Sequence, residues 1–259
     1  MERPPFIQPD VSVCTTVRKQ PLAARALLRS LYETADPVAL EIFLINLGTD
    51  SDETLSDEFP ALKIFSLPAE QELKARNMVM ELAVGRYILH IDYDAQVQPQ
   101  CLLRLVEFMD DTPDAGMAVP LIINAYGKHE RTARAFHSIS SLLGQLLAGH
   151  LSGSLRPQNR HLVPAFAYDT TGEADWFRSG ARIIRGELIR DIGLPAVDYP
   201  PYFSEMEYAL RAKKAGWHNF HVHEAGVLHP NPLQYDPNLA GRPFSLLAAT
   251  KFLKKRWLG

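Results

Sequence analysis

The sequence predicts an α/β domain: a mostly parallel central sheet flanked by helices. Three observations carry that expectation. Apolar runs rich in β-branched residues alternate with stretches of helical periodicity, at the spacing of β–α–β units. The 259 residues, 46% hydrophobic and 22% charged, suffice for one large α/β domain or two small ones, and no linker, repeat or low-complexity stretch divides them. One buried-type run, Tyr87 to Ile91, stops abruptly at two carboxylates, Asp92 and Asp94. In such sheets ligands bind beyond the carboxyl ends of the strands.

Residues 11–17, Val-Ser-Val-Cys-Thr-Thr-Val, read as the first strand. Leu22, Ala26, Leu27, Leu28 and Leu31 then recur at helical spacing, with Pro21 in the first turn. Residues 41–46 form a second buried strand, closed by Leu47-Gly-Thr-Asp50, and residues 62–67 a third. Residues 70–84 are helical, and Gly85 leads into the fourth strand. A helix opens near Pro99, carries Leu102, Leu105, Val106 and Met109 on one face, and ends near Thr112-Pro113. Residues 116–123 are a further strand, followed by a turn at 124–127. Ile139, Leu142, Leu143, Leu146, Leu147 and Leu151 make an apolar stripe that reads as core, dimer contact or acceptor groove. Residues 153–164 read as a loop, with Arg156 and Arg160 over the active site.

The net charge of -3 excludes a general nucleic-acid binder, which would be strongly basic. Cys14 and Cys101 supply neither a disulfide framework nor metal-ligand spacing, and read as buried thiols in a reducing compartment. The opening Met-Glu-Arg-Pro-Pro-Phe lacks the apolar core of a signal peptide, and no apolar stretch approaches the roughly 20 residues that span a bilayer. A cytoplasmic location is expected. Residues 244–259 mix Phe252, Leu253 and Trp257 with Lys251, Lys254, Lys255 and Arg256. Such a basic amphipathic tail either lies on the inner face of an anionic membrane or docks on the domain with its basic face in water.

The chemistry starts at Asp92 and Asp94. Ionised carboxylates are costly to desolvate unless they are paired or bind a cation. Two at a strand end can hold a hard divalent ion with positions left for diphosphate oxygens, or can form a solvated turn with Asp94 capping the next segment. Their surroundings choose between these. Lys74-Ala-Arg-Asn77 and Ala83-Val-Gly85 precede them; Asp175-Trp-Phe-Arg-Ser-Gly-Ala181 follows. Then come Pro201-Tyr-Phe-Ser-Glu-Met-Glu-Tyr-Ala-Leu-Arg211 and Lys214-Ala-Gly-Trp217. In this order, across residues 11–230, the motifs resemble the family 2 glycosyltransferases, above all the branch with rhamnosyl- and galactofuranosyltransferases.

The resemblance implies a glycosyltransferase-A-type fold and a single nucleotide-sugar-binding domain over 1–240. A nucleotide-binding half would occupy about 9–123 and an acceptor-binding half about 124–240, with 241–259 as the tail. It implies inverting transfer of a hexose from a nucleotide diphosphate sugar to a hydroxyl of a glycan or lipid-linked glycan, in cell-surface polysaccharide synthesis. Residue by residue, Thr15 and Arg18 match the turn that lines the nucleotide, while Thr16 and Val17 depart from it. Asn46 stands where the family has an Asp on base or ribose; Asn both donates and accepts there, or serves as a turn residue before Gly48. Arg76 meets a phosphate or is a surface arginine. Trp176 and Gly180 fall in the segment under donor sugar and acceptor. Asp92, Asp94 and His229 would hold Mn²⁺ or Mg²⁺. His218, His221 and His223 lack a matching motif and read as surface or packing residues. Glu205 takes the place of the catalytic Asp, the base that deprotonates the acceptor, helped by the dipole of a helix start; simple charge placement at that helix start is the other reading. Glu207 would orient an acceptor hydroxyl or support a group behind it. Ser204 replaces a further acid. These departures motivate a second hypothesis, a catalytically inactive scaffold in a polysaccharide-synthesis complex. A nucleotidyltransferase ranks last, because residues 11–20 contain no glycine for a phosphate loop.

Overall fold

The computed structural model describes residues 8–18, 21–48, 53–136, 163, 165–178, 180–230 and 250–255. The elements are β1 (Val11–Val17), α1 (Pro21–Thr34), β2 (Leu40–Leu47), α2 (Glu53–Glu58), β3 (Leu62–Leu67), α3 (Glu72–Leu82), β4 (Tyr87–Ile91) and β5 (Gln96–Val97). There follow α4 (Cys101–Asp111), β6 (Ala115–Asn124), β7 (Ala133–Arg134), β8 (Gly172–Glu173), β9 (Trp176–Phe177), β10 (Ala181–Arg185), α5 (Gly186–Ile192), α6 (Pro201–Lys214) and β11 (His218–His229). Residues 250–255 add a helical turn.

The strands line up as β3-β2-β1-β4-β10-β6-β11-β5, with β8 pairing β11, while β7 and β9 form a separate ribbon. Strands β3, β2, β1 and β4 run parallel, as do β6 and β11. Strand β10 runs antiparallel to both β4 and β6. A mostly parallel sheet needs cover on both faces, and all seven residues of β1 are buried. The alternation of a strand divides them: Val11 and Val13 face α1 and α4, where Leu27, Leu31, Leu105 and Met109 complete one core. Cys14, with Phe43 and Ile45 of β2, faces Ala75 and Val79 of α3. Further along this second face, Ile88 and Ile184 pack on Leu188, Met206 and Tyr208 of α5 and α6. Each such aliphatic side chain contributes about 1.5–3 kcal/mol on burial. The Cys14 and Cys101 thiols are both buried and pushed up to about 12 by that burial, so neither is a ready nucleophile.

A polar bolt joins three strands on the second face. Glu41 of β2 accepts from Ser12 Oγ of β1 at 2.6 Å and from Val84 N, ahead of β4, at 3.2 Å, and pairs with Lys63 of β3. Burial alone would raise its pKa; the bonds to Lys63, Ser12 and Val84 outweigh burial and hold it below the ordinary 4.5.

The structure differs from expectation in several elements. Strand β11 runs the full length from His218 to His229, and its pairing with β6 is irregular between Val222 and Gly226. Strand β5 and helix α2 carry too few residues for a periodic signal. The stripe at 139–151 and the expected loop at 153–164, including Arg156 and Arg160, lie outside the described residues, apart from Val163. Of the tail, 250–255 is docked: Phe252 is fully buried against Phe136 and Phe203, Lys251 pairs with Asp198, and Lys255 pairs with Glu207. Residues 241–249 and 256–259 lie outside the description. Among the described residues no helix is long and apolar enough to cross a membrane.

Candidate active site

Strand β4 ends at Ile91, and the chain turns so that Ala95 N donates to Asp92 O at 3.0 Å while Asp92 N donates to Gly180 O at 2.7 Å. Strand β11 delivers His229 to the same corner, in register with Asn124 at the end of β6. His229 Nε2 lies 3.3 Å from Asp92 Oδ2 and 3.4 Å from Asp94 Oδ1. Three side chains from two distant segments thus converge at a strand end. Gly180 makes the space: a Cβ there would stand 2.8 Å from Asp92 Oδ2 and 2.8 Å from His229 Cδ2. Only a residue without a side chain allows this approach.

These donors suit a divalent cation in kind: two carboxylates and an imidazole fit Mn²⁺, and the carboxylates fit Mg²⁺. Among the described residues no three His, Cys, Asp or Glu side chains form a ready-made metal cage. The acids and His229 pair with one another instead. A cage is not required of such a site, because Mg²⁺-type ions that work on diphosphates are held by one or two carboxylates and take their remaining ligands from phosphate and water.

Thr15 and Asn46 are buried near the ends of β1 and β2, and Thr15 Oγ1 has no hydrogen-bond partner among the described residues. Gly48 closes β2 with φ +65°, in the left-handed region, its N donating to Leu67 O at 2.9 Å. Arg18 and Arg76 are linked by a residue that sequence reasoning passed over. Glu72 accepts from Arg18 Nη2 at 2.7 Å and from Arg76 Nη2 at 2.7 Å. Its only signal in the sequence is the i, i+4 spacing to Arg76. Burial opposes the charge on Arg76, but Glu72 and then Asp92 outweigh it and raise its pKa. Arg76 is part-buried and pairs with Glu72 one turn before it on α3. His90 lies on the same side of β4. Burial, with Arg76 and Arg182 nearby, pushes it down to about 3, so it is neutral at physiological pH.

On the other side, Trp176 of β9 is buried, donates Nε1–H to Ala135 O at 3.3 Å and packs edge-on to Tyr202. Contrary to expectation, Glu205 lies beyond the first turn of its helix. Helix α6 starts at Pro201, its first turn has no acid, and the dipole effect fades within that turn. What faces Glu205 is Arg182 of β10, 3.5 Å from Oε2. Sequence reasoning missed Arg182 because only the antiparallel placement of β10 between β4 and β6 brings it there. The two acids two positions apart point to different sides of α6. Glu207 is fully buried, bonded to Arg211 Nε at 2.8 Å and to Lys255. Arg211 in turn donates to Ile192 O and to Leu194 O. Glu207 is thus held inside the packing around α6. Of the three unassigned histidines, His221 is buried beside Phe166 and Tyr168, His223 Nδ1 lies 2.9 Å from Tyr168 O, and His218 pairs with Glu173.

The family profile Glycosyl transferase family 2 matches residues 12–166. No curated protein matches the chain. Among solved structures, GalNAc-T7 with UDP, GalNAc and Mn²⁺ superposes with a TM-score of 0.65 and 15% identity, over 95% of this chain and 48% of that one. TarS 1–349 of S. aureus in complex with UDP-GlcNAc gives 0.64 and 14%, over 95% of this chain and 65% of that one. A second crystal structure of S. aureus TarS 1–349 gives 0.57 and 14%, over 85% of this chain and 60% of that one. The chain spans less than two thirds of each of these proteins. At such identities the likeness is one of fold.

Proposed function

The chain belongs to glycosyl transferase family 2 and has a glycosyltransferase-A-type fold, and from that premise we propose that it moves a sugar from a nucleotide diphosphate sugar to a hydroxyl of a glycan or lipid-linked glycan. The observation that carries this reading is the convergence of Asp92, Asp94 and His229 on Gly180 at the carboxyl end of β4. UDP and Mn²⁺ in the GalNAc-T7 structure and UDP-GlcNAc in the TarS structure support a donor of the UDP-sugar kind.

In this mechanism Asp92, Asp94 and His229 would hold Mn²⁺ or Mg²⁺, which when bound neutralises charge on the leaving diphosphate. Thr15, Arg18 and Asn46 line the nucleotide, and Arg76, steadied by Glu72, faces the diphosphate. Gly180 keeps the floor low enough for the sugar, with Trp176 beneath it. Glu205 takes the proton of the acceptor hydroxyl on the face opposite the diphosphate, which gives inversion at the anomeric carbon. Arg182 holds the Glu205 carboxylate in place, and Glu207 anchors α6 behind it. Residues to about 123 serve the donor and those from about 124 to 240 the acceptor. The motif at residues 201–211 favours the rhamnosyl- and galactofuranosyl-type branch and work on cell-surface polysaccharide at the cytoplasmic face.

The inactive-scaffold reading keeps one specific observation in its favour: Glu205, already a replacement for Asp, is engaged by an arginine. One experiment separates the two. Thermal midpoints are measured with UDP, dTDP, GDP and CMP, each with and without Mn²⁺. A ligand at about 100 times its Kd stabilises by ~2.7 kcal/mol, or roughly 5–10 °C for a domain of this size. A Mn²⁺-dependent rise with one nucleotide, lost in Asp94→Ala, is expected. No rise with any of them in folded protein would favour the scaffold.

A further inference from the structure

The acceptor side holds a charge that the transfer chemistry leaves unused. Arg134 of β7 is 8% exposed. Its Nη1 donates to Arg131 O at 2.7 Å and to Ala133 O at 3.0 Å, and among the described residues no carboxylate pairs with it. The sequence supplies none close by: residues 131–168 contain four arginines and three histidines but no Asp or Glu, in a chain whose net charge is -3. A buried guanidinium without a counter-charge is destabilising. Burial lowers the pKa of Arg134 accordingly.

The ribbon shows where this charge points. Arg134 is opposite Trp176, and Ala133 opposite Phe177. Arg178 N donates to Thr132 O, continuing the ladder. Strand alternation then places Arg134, Trp176 and Arg178 on one face, with Ala133 and Phe177 on the other, where they pack with Val119 and Phe166. Arg134 and Arg178 are diagonal neighbours, a spacing of about 7–8 Å in an antiparallel pair. Tyr202 stands against this face, its ring 5.0 Å from that of Trp176. The Tyr202 phenol is pushed up to about 12, first by burial, with Arg134 and Arg178 acting against it and Glu205 with it. Tyr202 also lies one helical turn before Glu205. Two cations and a phenol therefore gather at one face of this ribbon, with Tyr202 one turn from the proposed base.

We propose that this face is an anion subsite, in which Arg134, Arg178 and Tyr202 hold a phosphate or carboxylate group of the acceptor beside the hydroxyl that Glu205 deprotonates. The inference rests on the transferase reading above and narrows its acceptor to an anionic glycan. Guanidinium forks suit both groups, because each offers two oxygens to parallel N–H donors.

The test uses the full chain with UDP and Mn²⁺ present to fill the donor side. Thermal midpoints are measured against sn-glycerol 3-phosphate and glycerol, and against methyl glucuronide and methyl glucoside, at matched ionic strength. One anion of the two should stabilise the protein while its neutral counterpart does not, and the responding anion identifies the group. Its apparent affinity should fall about tenfold in Arg178→Gln and in Arg134→Lys, which keeps the charge but loses the fork; these substitutions are gentler on folding than Arg134→Gln. Equal shifts from the neutral compounds, or an anion shift that persists in both variants, would overturn the subsite. So would no anion shift in protein that UDP stabilises. An anion shift lost in the variants, without any response to UDP, dTDP, GDP or CMP, would sink the transferase reading and keep the subsite. Silence to every probe would remove both.

Discussion

At Glu205 one extra methylene relative to Asp lets the carboxylate meet Arg182 at 3.5 Å from a position in the second turn of α6. The group is thus steadied by a side chain and not by the end of the helix. Glu205→Gln keeps the shape and removes the basic oxygen, so transfer should fall by roughly 100-fold or more while the UDP-induced rise in midpoint stays. Unchanged turnover would remove Glu205 as the base. Gly180→Ala is a sharper probe of the corner where Asp92, Asp94 and His229 meet. The added Cβ would meet Asp92 Oδ2 and His229 at 2.8 Å, so one of them has to move. Overpacking of this kind costs about 1–3 kcal/mol. The protein should remain folded and lose the Mn²⁺-dependent part of its response to nucleotide. A response equal to that of the unaltered chain would show that the three side chains do not act as one site.

Two elements make predictions of their own. Strand β2 carries Glu41, which holds β1, β3 and the entry to β4 together. Its folded pKa lies below the ordinary 4.5. The unfolded chain therefore binds the proton more readily, and the stability Glu41 contributes is complete above about pH 4.5 and disappears as pH falls through the folded value. Midpoints of the unaltered chain should fall more steeply below pH 4.5 than those of Glu41→Gln, and parallel curves would refute the link. The helical turn at 250–255 is the second element. Phe252 is fully buried between Phe136 and Phe203, so Phe252→Ala should cost about 3–5 kcal/mol in denaturant melts. A loss under about 1 kcal/mol would mean that this turn is not docked in solution.

Across the whole molecule, the segments before and after Asn124 are interleaved. Strand β10, from the second half, lies between β4 and β6 of the first, and β11 covers the other side of β6. A fragment ending at residue 124 would leave β6 without its partners and uncover Ile88 and Met117, so it should show no cooperative thermal transition. A sharp transition in that fragment would make the first half an independent domain. Apart from α2 and β5, the order of strands and helices to Asn124 was legible in the sequence, as were the buried thiols and the carboxylates at a strand end. Each is a local property, set by periodicity, by apolar runs and by what a carboxylate needs at the edge of a core. Glu72 was overlooked because an acid four residues before an arginine is an ordinary helical pair. The place of β10, the pairing of Glu205 with Arg182, the burial of Glu207 under Lys255 and the face shared by Arg134 and Arg178 were decided only by the tertiary structure. Each depends on which distant segments pair and in what register, and a one-residue slip in a strand turns every side chain to the opposite face.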